Sequence, residues 1–129
     1  INALKRSKDD EDIDNRITAK RYTIFFRSLY NASYLNQEYS ELFLNILSQA
    51  PGELLSKGLP EEVRFVHKTG IRIDEFVRAD SGIVYAKNRP YLLTVMVQAK
   101  SKEDFEEEGM TKVFESISEE VYRYVTEVR

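Results

Sequence analysis

The sequence contains no cysteine and a single histidine, and these two scarcities exclude several kinds of site. Without cysteine the chain can form no disulfide, no thiolate metal site and no thiol nucleophile. One histidine rules out a histidine-rich metal centre. No run of about eighteen apolar residues occurs, so no membrane-spanning helix is predicted. The net charge of −3 lacks the basic excess of a general nucleic-acid binder, and no nucleic-acid partner is expected.

Hydrophobic residues make up 42% of the 129 residues, which is enough for one domain with a packed core. Residues 5–16 are nearly all charged or polar and predict a solvated loop. Its acidic residues lack the spacing of a calcium-binding loop, so no metal site is predicted there. We predict no cofactor for the chain. We therefore divide the chain into a polar leader or loop over 1–16 and a domain over 17–129. Because the sequence begins with Ile1 rather than Met, we expect a fragment or a processed product whose targeting segment would lie upstream.

Apolar residues at the helical period predict three helices. The first begins after Thr18, a favourable N-cap residue. The second begins after Asn36 and ends at Pro51. The last begins at Ser101, with Asp104 completing a weak capping box. Their aromatic stripes are interpreted as core rather than as cofactor contacts.

The middle of the chain changes to the patterns of β-strands, over residues 63–66, 82–85 and 91–97. The turn-like link 87–90 makes the second and third strands an antiparallel hairpin. The third strand is apolar on both faces, and both are expected to be covered. The order helix, helix, strand, strand, strand, helix predicts an α+β fold. We expect an antiparallel sheet flanked by helices, with the C-terminal helix packed on it.

The segment HKTG follows the first predicted strand and carries the chemistry that most suggests a site. Lys68 offers a positive charge, and the Thr69 hydroxyl can donate to a carboxylate. Gly70 lets a ligand approach the backbone closely, and the N–H of Ile71 could face a developing oxyanion. Such a tripeptide occurs often by chance. On its own, a strand-end lysine with a turn glycine is the preferred interpretation.

The wider sequence resembles the C-terminal half of the penicillin-recognising serine hydrolases, which include the class A β-lactamases and the D-Ala-D-Ala peptidases. The matching pieces, in order, are ITAKRYTIFFRSLYNASYLN (17–36), SELFLNILSQ (40–49), GLPEEVRFVHKTG (58–70), DSGIVY (80–85), RPYLLTVMVQ (89–98) and ISEEVYRYV (117–125). The resemblance implies an intact sheet of five strands, of which three are encoded here. It also implies a β-lactam or a peptidoglycan peptide as substrate and an extracytoplasmic location, in the bacterial cell envelope or secreted.

In that family the Lys-Thr-Gly strand borders the active-site cleft, so the resemblance implies roles for four residues. Lys68 would set the electrostatics of the site and bind the substrate carboxylate, to which Thr69 would donate a hydrogen bond. Gly70 would keep the strand open to the acyl group. Ile71 would contribute its backbone N–H to the oxyanion hole.

The sequence also departs from the family pattern. No serine is followed by lysine three residues later, and no Ser-Asp-Asn segment occurs, so the Ser-x-x-Lys nucleophile would lie upstream of this chain. Glu11 lies about where class A enzymes carry the deacylating glutamate, but the surrounding DDEDID does not resemble that loop. An arginine that binds the carboxylate in many relatives is replaced by Ser81. Arg72 or Arg78 could substitute, although each is better interpreted as a surface charge.

His67 and Asp80 are interpreted as structural. His67 shares a face of its strand with Phe65, opposite Lys68, so we expect it to be partly buried and not catalytic. Asp80 is expected to pair with a nearby cation across the strands.

Two functions from different classes fit these observations. The first is the C-terminal part of a serine acyl-transfer hydrolase that works through an acyl-serine upstream of this chain. The poor match around Glu11 favours a peptidase slightly over a lactamase. The second is a non-catalytic β-lactamase-like module that binds a peptide or a partner protein. In either case we expect association with the N-terminal half of the same domain, or self-association through an exposed strand edge.

Overall fold

The computed structural model describes residues 16–127 and contains four α-helices, one 3-10 turn and three strands in that range. In chain order they are α1 (Ala19–Tyr30), α2 (Gln37–Leu47), the 3-10 turn (Leu55–Gly58), β1 (Phe65–Arg72), β2 (Val77–Val84), β3 (Tyr91–Gln98), α3 (Lys102–Glu106) and α4 (Glu108–Glu127). The α+β fold class predicted from the sequence is confirmed.

The first two helices begin where the sequence predicts, because side chains cap both of them. Thr18 Oγ1 accepts a hydrogen bond from the Arg21 N–H at 3.2 Å. Asn36 Oδ1 accepts one from the Tyr39 N–H at 2.8 Å. Each cap satisfies an N–H group that the first turn of a helix leaves without a partner.

The three strands form one antiparallel sheet in the order β1-β2-β3, so β2 is central and β1 lies at an edge. The predicted hairpin between the last two strands is confirmed. Lys68 pairs with Ser81, and Thr69 pairs with Asp80. The turn between β1 and β2 includes Phe76 at φ 55°, a left-handed conformation that is unusual for an aromatic residue.

The first two strands are longer than the sequence predicts. The expected strands 63–66 and 82–85 are observed as Phe65–Arg72 and Val77–Val84. Lys68, Thr69 and Gly70 therefore lie within β1, and the expectation that they end a strand was wrong. The residues added to β1 are largely polar and show no apolar alternation. Backbone pairing with the neighbouring strand holds them in the sheet instead.

Two apolar layers cover the two faces of the sheet. The layer beneath α1 and α2 contains Phe26, Leu29, Leu44, Val66 and Ile83. The layer beneath α4 contains Leu54, Leu55, Phe65, Val84, Phe105, Met110 and Phe114. The C-terminal helix thus packs on the sheet as predicted. Apolar residues of β3 contact both layers, which confirms that both of its faces are covered.

The 3-10 turn packs closely against α4, and a glycine makes this approach possible. A Cβ at Gly58 would lie 2.4 Å from the Glu115 carbonyl oxygen and 2.7 Å from the Glu119 nitrogen. Both neighbours are backbone atoms within a helix and cannot move aside cheaply. The glycine therefore fixes the distance between the turn and the helix.

The predicted last helix is divided in two. Ser101 caps it as expected, with its Oγ accepting from the Asp104 N–H at 3.1 Å. Glu107 then adopts an extended conformation at ψ 146°, which ends α3 before α4 begins. Within residues 16–127 we find no helix with the length and apolarity needed to cross a membrane.

Candidate active site

An open groove of about 830 Å³ runs along the outer edge of β1. Lys68, Thr69, Gly70 and Ile71 form one wall, so the structure brings the four predicted site residues together at one surface. Glu53 and Leu54, from the connector before the 3-10 turn, also line the groove, as does Tyr22 of α1; Leu54 belongs to the layer beneath α4 and Tyr22 packs in the layer beneath α1 and α2. The end near the β1–β2 turn is lined by Arg16, Arg72, Glu75 and Arg78.

The backbone of β1 presents N–H groups to this groove. The Tyr85 N–H donates to the Arg64 carbonyl at 3.0 Å, which makes these two residues a hydrogen-bonded pair in step with the strand register. Hydrogen-bonded and non-hydrogen-bonded pairs alternate along antiparallel strands. The N–H groups of Thr69 and Ile71 therefore point away from β2, towards the groove.

The backbone conformation of β1 does not require a glycine at position 70. The φ of Gly70 is not positive, and an added Cβ would make only an ordinary 3.8 Å contact with the Ala79 side chain. Gly82 on the neighbouring strand differs, because a Cβ there would lie 2.1 Å from the Val66 carbonyl oxygen. The fold explains the glycine at 82 and leaves the one at 70 unexplained.

Lys68 is exposed at the groove and is held through its main chain. Its Nζ donates to the Thr69 carbonyl at 2.7 Å. Its own carbonyl accepts a hydrogen bond from the Tyr22 hydroxyl at 2.6 Å. Burial, with a further contribution from the Asp80 carboxylate, raises the pKa of Tyr22 to about 12. The phenol therefore stays protonated and remains a donor at neutral pH.

His67 and Asp80 form a buried pair. The sequence predicts a partly buried His67 and a cross-strand cation as the partner of Asp80, but not that the two residues pair with each other. Their side chains are 2% and 0% exposed, and His67 Nδ1 lies 2.8 Å from Asp80 Oδ1. The second carboxylate oxygen accepts from the Leu55 N–H at 3.1 Å. The imidazole stacks on Phe65 with a 4.3 Å separation of ring centroids. Neither side chain has access to a substrate, so neither acts directly on one.

Ser81, the position at which the resemblance implies a carboxylate-binding arginine in relatives, is fully buried. Its Oγ lies 2.6 Å from Thr94 Oγ1, which lies 2.6 Å from Thr23 Oγ1. The three hydroxyls join β2, β3 and α1 on the face opposite His67 and Asp80. Ser81 is therefore a structural residue of the described chain.

The two candidate replacement arginines both reach the groove, and each is engaged by a neighbour. Arg72 Nε lies 3.1 Å from Asp74 Oδ1 and 3.5 Å from Glu75 Oε1. The Arg78 guanidinium lies over the Phe105 ring at 4.8 Å from its centroid. Its buried Nε has no hydrogen-bond partner among the described residues.

Tyr22 and Arg16 also line the groove, and no sequence pattern identified them. Tyr22 fits the apolar stripe of α1, and its contact with Lys68 spans 46 positions, so no local pattern reveals it. Arg16 belongs to the polar leader and pairs with Glu75 at 2.8 Å. Glu11 lies outside the described residues. Within residues 16–127 no group of three or more His, Cys, Asp or Glu residues could hold a metal ion.

Comparison with known proteins gives one family and one fold. The family model of the beta-lactamase enzyme family matches residues 1–125. The structure of PBP-A superposes with a TM-score of 0.73 at 20% identity, covering 84% of this chain and 40% of that one. A PBP-A mutant in its acyl-enzyme complex with penicillin G gives a TM-score of 0.74 at the same identity and coverage.

The TLA-1 extended-spectrum beta-lactamase gives a TM-score of 0.65 at 19% identity, over 81% of this chain and 40% of that one. The chain therefore spans about 40% of the length of these solved structures. No curated protein matches the chain.

Proposed function

Because the chain belongs to the beta-lactamase enzyme family, we propose that it is the C-terminal part of a serine acyl-transfer hydrolase. Its substrates are β-lactams or D-Ala-D-Ala peptides, and its acyl-serine is supplied by a residue outside this chain. The observation that carries the proposal is the open edge of β1, where Lys68, Thr69 and the outward N–H of Ile71 line one groove.

Each residue of this edge has a distinct part in the proposed reaction. The Lys68 ammonium attracts the substrate carboxylate, and the Thr69 hydroxyl donates a hydrogen bond to it. When the serine attacks the carbonyl, negative charge develops on its oxygen, and the Ile71 N–H stabilises that charge. Gly70 leaves room for the acyl group, which accounts for a glycine that the fold does not need.

The remaining catalytic groups come from the N-terminal half of the same domain. The surface of α1 and α2 supports this, because it exposes Phe25, Leu42, Phe43 and Ile46 by 38–59%. Isolated surface apolar residues are common, but a cluster on two adjacent helices is typical of a contact surface. The outer edge of β3 has no strand partner within residues 16–127 and offers a second contact for that half.

We propose a location outside the cytoplasm, where peptidoglycan peptides and β-lactams are met. Between the two activities we favour the peptidase, since the segment around Glu11 does not supply a convincing deacylating base. A slow deacylation step would leave a long-lived acyl-enzyme.

The test is to expose the complete gene product to a fluorescent penicillin and to look for a covalent band by denaturing gel and mass spectrometry. Lys68→Ala should weaken labelling by on the order of 100-fold, since it removes the charge that holds the carboxylate. Lys112→Ala, which removes an exposed lysine from α4, is the matched control and should label normally. A stable adduct indicates a peptidase, and hydrolysis without an adduct indicates a lactamase.

A non-catalytic binding module is the second candidate, because this sequence has no Ser-x-x-Lys segment. An intact penicillin and an absent adduct with the complete gene product would favour it over the hydrolase.

A further inference from the structure

The His67–Asp80 pair is the one buried polar cluster on the α4 side of the sheet that the proposed chemistry leaves unused among the described residues. Burying an ionisable pair costs solvation that its mutual attraction only partly returns, so such a pair is weak evidence for added stability. The imidazole stacks on Phe65, and Phe65 and Leu55 both belong to the apolar layer beneath α4. Its presence therefore calls for a reason other than packing.

The Asp80 carboxylate connects three elements. It belongs to β2, and it binds His67 on β1 through one oxygen and the Leu55 N–H through the other. Leu55 begins the 3-10 turn and directly follows Leu54, which lines the groove. One carboxylate thus joins two elements that line the groove, β1 and the connector before the 3-10 turn.

The same carboxylate lies beside the reactive part of β1. Asp80 is the cross-strand partner of Thr69, and His67 directly precedes Lys68. Rotation or sliding of β1 at His67 would move the Lys68 charge and the Thr69 hydroxyl together. Displacements of about 1 Å at such groups can cost on the order of 100-fold in rate.

We propose that Asp80 and His67 are positioning residues, which set the width of the groove and the orientation of Lys68 and Thr69. Asp80 fixes the connector at Leu55, and His67 fixes β1. The predicted effect of the pair on reactivity with penicillin rests on the proposed function. The effect of the pair on the local structure can be measured whether or not the protein reacts with penicillin.

Asp80→Ala removes both acceptor oxygens and leaves the Leu55 N–H buried without a partner. We expect penicillin acylation of the complete gene product to slow by on the order of 10- to 100-fold. The matched control is Thr94→Val, which removes two hydrogen bonds on the face of the sheet opposite His67 and Asp80; neither Thr94 nor its two partners line the groove. It should lower the melting temperature while leaving acylation within about twofold, because the two lost hydrogen bonds join no residue that lines the groove.

Hydrogen exchange measured by mass spectrometry supplies the second readout. Asp80→Ala should speed exchange in segments 53–58 and 65–72, and leave α2 unchanged. Asp80→Asn should restore protection, because its Oδ1 can accept from the Leu55 N–H while its Nδ2 donates to His67 Nδ1 in the other tautomer. If Asp80→Ala does not fold, hydrogen exchange is measured on His67→Ala instead. Exchange should then become faster in segment 65–72 alone.

The outcomes separate cleanly. Equal losses of acylation in Asp80→Ala and Thr94→Val, in proportion to their melting temperatures, would make the pair merely structural and overturn the proposal. Faster exchange throughout the chain, or no restoration by asparagine, would do the same. A wild-type protein that never reacts with penicillin counts against the proposed function only. Faster hydrogen exchange of Asp80→Ala confined to 53–58 and 65–72 would then still support the positioning role. Unchanged exchange in these segments would contradict it.

Discussion

The Tyr22 hydroxyl donates a hydrogen bond to the Lys68 carbonyl across 2.6 Å, and this bond joins α1 to the strand that borders the groove. It holds β1 from the face opposite the His67–Asp80 pair. Lys68 is therefore fixed through its main chain while its side chain remains exposed. The hydrogen bond thus fixes the backbone position from which the exposed lysine side chain extends.

Tyr22→Phe tests this bond. The variant keeps the ring and its 5.8 Å contact with the Phe26 ring, and loses only the donor. We expect a loss of about 1 kcal/mol in the free energy of unfolding, measured by chemical denaturation. Penicillin acylation should also slow. Tyr34→Phe is the control, because Tyr34 is 82% exposed and should change neither quantity.

Stability should decline at alkaline pH. Burial raises the pKa of Tyr22 to about 12, and burial with the neighbouring Tyr122 raises that of Tyr91 to about 12. The unfolded chain releases these protons near the ordinary value of about 10, so it binds fewer protons than the native state above that pH. The stabilisation is therefore complete below pH 10 and is lost as the pH rises towards 12. Denaturation at several pH values should show this decline, and a smaller one in Tyr22→Phe; identical slopes would contradict the assignment.

Gly70→Ala separates folding from function. An added methyl group meets only the Ala79 side chain at 3.8 Å, so the free energy of unfolding should change by less than about 1 kcal/mol. Acylation by penicillin should nevertheless slow by about tenfold or more, since the methyl group occupies space beside the acyl group. Gly82→Ala is the contrasting variant and should destabilise the fold strongly. Unchanged acylation in Gly70→Ala would remove the steric argument for this glycine.

Two other glycines form a matched pair for stability. Gly58→Ala forces a methyl group against the backbone of α4 and should cost about 1–3 kcal/mol. Gly109→Ala places one in open space within the same helix and should stabilise by about 0.5–1 kcal/mol. Thermal or chemical denaturation of both variants distinguishes close approach from helix propensity. Similar changes in the two would refute the packing described for the 3-10 turn.

The sequence predicted those parts of the fold that local chemistry decides. Thr18, Asn36 and Ser101 mark helix starts because their side chains cap the following turns, and the apolar run of β3 marks a strand. The second half of β1 was missed because its polar residues are held by pairing with β2, which is a long-range effect. The break at Glu107 was missed because the apolar stripe continues through it.

The candidate site, like the fold, was predicted only in part. The HKTG segment and its resemblance to a family predicted one wall of the groove. Tyr22 and Leu54 also line the groove. They are far from the HKTG segment in the sequence, so no local pattern predicts that they lie close to it in the fold. Strand alternation predicted that His67 faces away from Lys68, and the structure buries it; Asp80 was expected to pair with a cation across the strands, and its cross-strand partner is His67. Their shared link to Leu55 required the folded chain, because no sequence pattern indicates which backbone N–H meets a carboxylate.

The hydroxyl chain of Thr23, Thr94 and Ser81 has a fixed proton order. Thr23 donates its hydroxyl proton to the Ala19 carbonyl at 3.0 Å, so it can only accept from Thr94. Thr94 has then used its own proton and can only accept from Ser81. One helix carbonyl thus orients three O–H dipoles in the same sense, from β2 to α1. Ser81 is therefore the donor at the β2 end of this chain, and its oxygen accepts no hydrogen bond from the other two hydroxyls.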